Sequence, residues 1–171
     1  MKKKSAKNFK VLIVYPNIPL MLIPSIAVAL FTRILKNQGY QVDLFETTYY
    51  LSDQVSTSEK RIELLQARAF DITEEIGVSL KTDMLGDFRR KVENFKPDLM
   101  IFTVVEDAFF QTVNLLGAVS DLKIPHLVGG VFPTYAPERC IEPDEIQLIG
   151  HGEGENTVVR VAEAIRTNKP I

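Results

Sequence analysis

The chain has 171 residues, 46% apolar and 25% charged, which is the make-up of a folded globular domain and excludes a disordered chain, a collagen-like repeat and a disulfide scaffold. A formal net charge of −2 gives no basic field to hold nucleic acid, and the single cysteine, Cys140, excludes an internal disulfide and a multi-cysteine zinc or iron–sulfur site. A chain this long buries roughly 70% of its extended surface on folding and needs no such staple; one cysteine suits a reducing compartment, so a cytoplasmic location is expected.

The first eight residues include Lys2, Lys3, Lys4 and Lys7 and read as a disordered, solvated basic arm. From 11 to 32 nothing is charged, and Ala27-Val28-Ala29 resembles a cleavage site, so a secretory signal or a membrane span is an alternative. Pro16, Pro19 and Pro24 oppose it, because each would break a helix running through. The stretch reads better as a strand over 11–15, a loop, and a helix over 25–37 ended by Gly39. Residues 41–45 alternate polar and apolar, as an edge strand does. The span from about 51 to 96 is too long for one crossover and reads as an insertion. It carries a helix over 59–69 and another over 82–95, whose Leu85, Phe88, Val92 and Phe95 fall on one stripe. The run 98–103 is almost wholly apolar, as in strands buried on both faces of a parallel sheet. A helix over 108–122, strands over 126–128 and 146–149, and a helix over 155–168 complete the chain. Alternating strands and helices imply right-handed crossovers. The expected fold is α/β and flavodoxin-like (Rossmann-like): a five-stranded parallel sheet of order 2-1-3-4-5, with helices on both faces and a helical insertion between strands 2 and 3. The folded unit is expected over 9–171.

In open α/β sheets ligands sit beyond the carboxyl ends of the strands, where strand order reverses. That point lies here between the first and third strands. The expected lining is the set of segments leaving strand ends: 15–24 with Pro16 and Asn17, 103–110 with Thr103, Val104, Glu106 and Asp107, 129–134, and 150–155. Gly129-Gly130 lets the backbone turn and a bulky ligand press close, with Phe132, Pro133 and Thr134 behind it. A bare tight turn is the plainer reading, but needs no Phe-Pro-Thr. Gly150-His151-Gly152-Glu153-Gly154-Glu155 precedes a helix, yet its carboxylates would repel a phosphate. Backbone groups at the glycines and carboxylates that accept from N–H or O–H suit a ligand rich in amides and hydroxyls; an acidic helix cap is the alternative. Asp107 is placed to cap the helix from 108, and Glu106 either lines the cleft or is solvated. His126 begins a strand, remote from the cleft, and reads as structural; His151 is at the correct end. Cys140 has no histidine near it in sequence to activate it.

Pro16 after the first strand, Thr103 ending the third, Gly129-Gly130-Val131-Phe132-Pro133-Thr134 and Gly150-His151-Gly152-Glu153-Gly154-Glu155 together resemble the N-terminal cobalamin-binding domain of cobalamin-dependent radical SAM enzymes. The resemblance spans about 9–168. It implies a cobalamin whose nucleotide tail enters between the first and third strands, with the corrin over the strand ends. It carries Pro16, Thr103, Gly129, Gly130, Phe132, Pro133, Thr134, Gly150, Gly152, Glu153, Gly154 and Glu155 over as cofactor-binding positions. The Asp-x-His-x-x-Gly motif that ligates cobalt in methionine-synthase-like domains is absent, as it is in many radical SAM relatives, so no protein metal ligand is implied. The Cys-x-x-x-Cys-x-x-Cys triad of a radical SAM barrel is also absent. The S-adenosylmethionine and iron–sulfur cluster of such an enzyme would belong to a C-terminal barrel, in cis or in trans, and this chain would hold a cofactor without catalysing a reaction. A phosphoacceptor receiver would need acids where Tyr15-Pro16 and Thr103 stand, and an FMN flavodoxin a polar loop where Asn17-Ile18-Pro19-Leu20-Met21-Leu22 is apolar. The remaining alternative is a non-catalytic protein-interaction domain of this fold that binds no cofactor and docks through Met21-Leu22-Ile23. Neither reading involves nucleic acid or a membrane.

Overall fold

The structure, a computed structural model, describes residues 4–51, 61–66, 68, 74, 75 and 77–171. Four parallel strands form one sheet: β1 (Lys10–Tyr15), β2 (Gln41–Glu46), β3 (Leu99–Thr103) and β4 (His126–Gly129), in the order β2-β1-β3-β4. Helices α1 (Ile26–Asn37), α2 (Met84–Phe95), α3 (Phe109–Gly117), α4 (Val131–Tyr135), α5 (Pro137–Cys140) and α6 (Glu155–Thr167) connect and cover it. The pleat sorts the central strands into two faces. Leu12, Val14, Met100, Phe102 and Val128 pack with Phe88 and Val92 of α2 and Leu115 and Leu116 of α3. Val11, Ile13, Leu99, Ile101 and Leu127 pack with Leu35 of α1 and Val158, Val161 and Ala162 of α6. Each fully buried aliphatic side chain contributes about 1.5–3 kcal/mol, which is why β1 and β3 read as unbroken apolar runs. Edge strand β2 buries only Phe45.

The sheet has four strands, not the five expected. Residues 146–149 do run beside β4: the Val128 N–H donates to the Leu148 carbonyl (3.0 Å) and the Gly150 N–H to the Val128 carbonyl (2.8 Å). Only an isolated bridge, Val128 to Ile149, results. The Ile146 N–H donates to the Pro143 carbonyl (3.1 Å) and the Gln147 N–H faces His126 Nε2 (3.4 Å), so pairing begins only where the chain turns away at Gly150.

Ser25 caps α1 by accepting from the Val28 N–H (3.3 Å), and Gly39, at φ +82°, follows the helix end as expected. The helix expected over 108–122 is broken: 3-10 turns over Glu106–Ala108 and Ser120–Leu122 flank the shorter α3. The Ser120 hydroxyl donates to the Gly117 carbonyl (3.0 Å), a side-chain bond that competes with helix propagation. In α2 the stripe holds Phe88, Val92 and Phe95, but Leu85 is exposed and Met84 takes its place. Residues 61–63 are helical; 59, 60, 67 and 69 of the helix expected over 59–69 lie outside the described residues. Lys4–Asn8, expected in a disordered arm, are held in place. The Lys4 N–H donates to the Arg166 carbonyl (3.3 Å), Arg166 donates back to the Lys4 carbonyl (2.6 Å), and Ala6–Asn8 form a 3-10 turn. Among the described residues no helix is long and apolar enough to cross a membrane.

Candidate functional site

A groove of about 440 Å³ opens over the carboxyl ends of β3 and β4, between α1 and α6. Its floor is Ile101, Phe102 and Leu127; one wall is Ile26, Ala27, Leu30 and Phe31 of α1, and the other Thr157 and Val158 of α6. The expected residues Thr103, Val104, Gly129, Gly130, Thr134, Gly150, Gly152, Glu153, Gly154 and Glu155 all line it, so the two glycine-bearing turns do meet at one end of the sheet. The groove lies one strand further along than expected, over β3 and β4 rather than between β1 and β3, and nothing from 15–24 lines it.

The glycines differ in what the fold asks of them. Gly130 has φ +117°, and a Cβ there would stand 2.6 Å from the backbone N and O of Val104. Gly152 has φ +77°, in open space. Both conformations favour glycine for backbone reasons. Gly154 lies under Phe31, whose Cζ would be 2.5 Å from a Cβ. Gly129 and Gly150 are different. Neither has a positive φ, and a Cβ at either would meet its neighbours at ordinary contact distances, 3.9 Å or more at Gly129 and 3.5 Å or more at Gly150. The two stand against each other on the groove floor, and neither backbone nor packing calls for the missing side chains.

Thr134 joins the turns. Its hydroxyl donates to the Gly130 carbonyl (2.8 Å) and accepts from the Gly152 N–H (3.1 Å). Val104 fixes the first turn to β3: its N–H donates to the Gly129 carbonyl (2.8 Å), and its carbonyl accepts from the Phe132 N–H (3.3 Å).

Six expected residues are not brought in. Pro16 and Asn17 are buried, Asn17 to 5% exposure. The Asn17 amide donates to the Met21 carbonyl (2.9 Å) and the Thr48 hydroxyl (3.0 Å), and its Oδ1 accepts from the Ile18 N–H (3.0 Å). It is spent on holding its own loop. Phe132 faces the opposite layer, where its ring meets that of Phe109 edge-on at 5.0 Å, and Pro133 is buried beside it. Glu106 and Asp107 are exposed on the 3-10 turn after β3. Asp107 does not cap α3, whose N-cap is Ala108. Conversely, the apolar residues of α1 were missed as lining. A signal was available: 26–31 has no polar face, so burial against the sheet cannot account for all of it.

Among the groove-lining residues only Glu153 and Glu155 are charged, and none is lysine, arginine or histidine. The surface thus suits apolar bodies and N–H or O–H donors, and repels free phosphate. The rim is apolar and exposed: Ile26 and Tyr135 are each 84% accessible, and Val105, Val131 and the neighbouring Leu22 and Ile23 are exposed too. His151 is exposed beside the groove without lining it. Burial pushes the Cys140 thiol up, away from the thiolate a nucleophile needs. Among the described residues no group of three or more histidine, cysteine, aspartate or glutamate side chains is arranged to hold a metal ion.

No protein-family model matches the chain, and no curated protein matches it in sequence. Two solved structures of the radical S-adenosylmethionine methyltransferase TsrM from Kitasatospora setae are similar, one with tryptophan substrate and the analogue aza-SAM bound, the other with cobalamin and a 4Fe-4S cluster bound. Each has a TM-score of 0.67 and 18% identity over 94% of this chain. The chain spans about a quarter of TsrM, 26% and 25% in the two structures. At that identity the likeness is one of fold.

Proposed function

We propose that the groove between α1 and α6 binds cobalamin, and that the domain presents it to a radical SAM barrel, in cis or in trans, for methyl transfer or a related radical reaction. The observation that carries this reading is the pair Gly129 and Gly150, which leave space on the groove floor that the fold does not itself require. The fold likeness to TsrM, one of whose structures holds cobalamin, supports it.

The residues present fit such a ligand. A groove of about 440 Å³ is in the small-ligand range of roughly 300–1,000 Å³, smaller than a whole corrinoid with its nucleotide. It would therefore hold only part of the cofactor, and the exposed rim of Ile26, Leu30, Val105, Val131 and Tyr135 offers apolar surface for the rest. Glu153 and Glu155 accept from amide N–H groups of the ligand. Thr103, Val104, Gly130, Gly152 and Gly154 shape the walls. The lining holds no histidine, so these residues would hold the cofactor through its periphery and would offer the cobalt no imidazole. The cofactor supplies methyl-carrying or radical chemistry; this chain supplies binding and orientation.

Titration with hydroxocobalamin, followed by visible absorbance after gel filtration, tests the proposal. Retained cobalamin with an altered spectrum is expected for the wild type. Gly150→Phe, which adds a ring on the floor at a position where a Cβ itself meets only ordinary contacts, should lose it while keeping its far-UV circular dichroism. No uptake by the wild type at tens of micromolar overturns the reading and favours the interaction domain, with the exposed rim as its docking surface.

A further inference from the structure

We infer that Thr134 is a positioning residue: its hydroxyl ties the turn after β4 to the turn before α6 and so holds the groove open before any ligand arrives. The inference of preformed width rests on the cobalamin reading above; the tie itself does not.

The two turns come from different parts of the chain and share no sheet hydrogen bonds beyond Gly150. Gly152 has φ +77°, and a Cβ there would meet nothing within 4 Å. Its N–H donates to Thr134 Oγ1 at 3.1 Å. The same oxygen donates its proton to the Gly130 carbonyl at 2.8 Å, which fixes the hydroxyl rotor and points a lone pair at Gly152. Gly130 in turn lies against the backbone of Val104, the residue after β3, in a conformation that no other residue takes easily. The chain of contacts thus runs from sheet to Gly130, through Thr134, to Gly152 and the carboxylates at 153 and 155. Loss of the tie would leave the second turn free to close on the groove, and a ligand would then have to order it at the cost of affinity.

Two substitutions separate the hydroxyl from the bulk of the side chain. Thr134→Val keeps shape and removes both bonds; Thr134→Ser keeps the bonds. In the free protein, the Gly152 amide proton should exchange about tenfold faster in Thr134→Val and at nearly the wild-type rate in Thr134→Ser, as expected for one lost hydrogen bond. Cobalamin affinity should fall about tenfold in Thr134→Val and return in Thr134→Ser, with thermal midpoints close to wild type in both. Wild-type exchange at Gly152 in the valine variant overturns the tie, with or without a cofactor. Faster exchange with undiminished uptake overturns the positioning role. Equal losses in both variants mean that the retained hydroxyl does not restore the site, and overturn the inference as well. A wild type that takes up no cobalamin overturns the reading of the groove, and the exchange comparison still decides the tie.

Discussion

The loop after β1 and the turns after β4 and before α6 leave the same end of the sheet, and they are built in opposite ways. The first is closed. Asn17, Thr47, Thr48 and Gln111 are all buried, and Asn17 spends both amide protons and its oxygen inside the loop. Thr47 adds a bond to Gln111 of α3 (2.7 Å), and the Leu20 N–H donates to the Thr48 carbonyl (2.8 Å). The second region is open: Gly129 and Gly150 leave room for a Cβ, Glu153 and Glu155 are among the lining residues, and apolar side chains around the groove are exposed. A strand end that satisfies its own polar groups is a structural closure; one that leaves apolar surface and space uncovered is where the proposed ligand would sit.

The contrast breaks most sharply within the open region, at Gly130. Its Cβ would overlap the Val104 backbone at a φ that side chains avoid, so Gly130→Ala should cost about 3 kcal/mol of stability, read as a fall in the urea midpoint. An unchanged midpoint would mean that the turn is not built as described. Gly130 is for this reason a poor position at which to test binding. Next is Asn17→Ala in the closed loop. It strands the Ile18 N–H and removes two further bonds, so it should cost about 2–3 kcal/mol, or roughly 5–10 °C in Tm, while the folded fraction still takes up cobalamin. Loss of uptake at undiminished stability would put Asn17 back among the ligand contacts. The reverse pattern is expected for Gly150→Ala: a change of less than about 1 kcal/mol in stability, with cobalamin affinity several-fold weaker. If affinity is unaffected, the space on the groove floor is not where the ligand goes.

How much of this could be read from residues alone follows from the range of the forces involved. The runs 11–15 and 99–103 announce themselves because a strand covered on both faces must be apolar throughout. Residues 146–149 have the same look, but whether they join a ladder depends on where the N–H groups of Ile146 and Gln147 go, and those go to Pro143 and His126. Gly129 and Gly150 were legible as turns at strand ends; that they abut each other was not. That Asn17 does not line the groove was not legible, because its position after a strand is local information, whereas Thr48, which it bonds, is 31 residues distant in sequence. The side taken by the Phe132 ring was not legible, because a five-residue helix carries too little periodicity to say which layer it enters.

The smallest effect concerns the far end of β4 from the groove. His126 opens the strand whose other end is Gly129, and burial holds its imidazole below the usual histidine value. The unfolded chain, with a histidine pKa of about 6.5, therefore binds a proton more readily than the folded one. Stability contributed by the neutral ring is full above about pH 6.5 and is lost as the pH falls through the lower, folded value. Asp121 and Asp87 do not obscure this window. The Arg89 guanidinium holds Asp121, and the Tyr50 hydroxyl with Arg90 holds Asp87, below the ordinary carboxylate range, so their contributions vanish only in more acidic solution. Urea midpoints should decline modestly between about pH 7.5 and 5 in the wild type and less so in His126→Gln. Cobalamin affinity at neutral pH should be the same in both, because the ring stands at the opposite end of the strand. A drop in affinity in His126→Gln would tie the two ends of β4 together and blur the division between a part of the sheet that holds the fold and a part that holds a ligand.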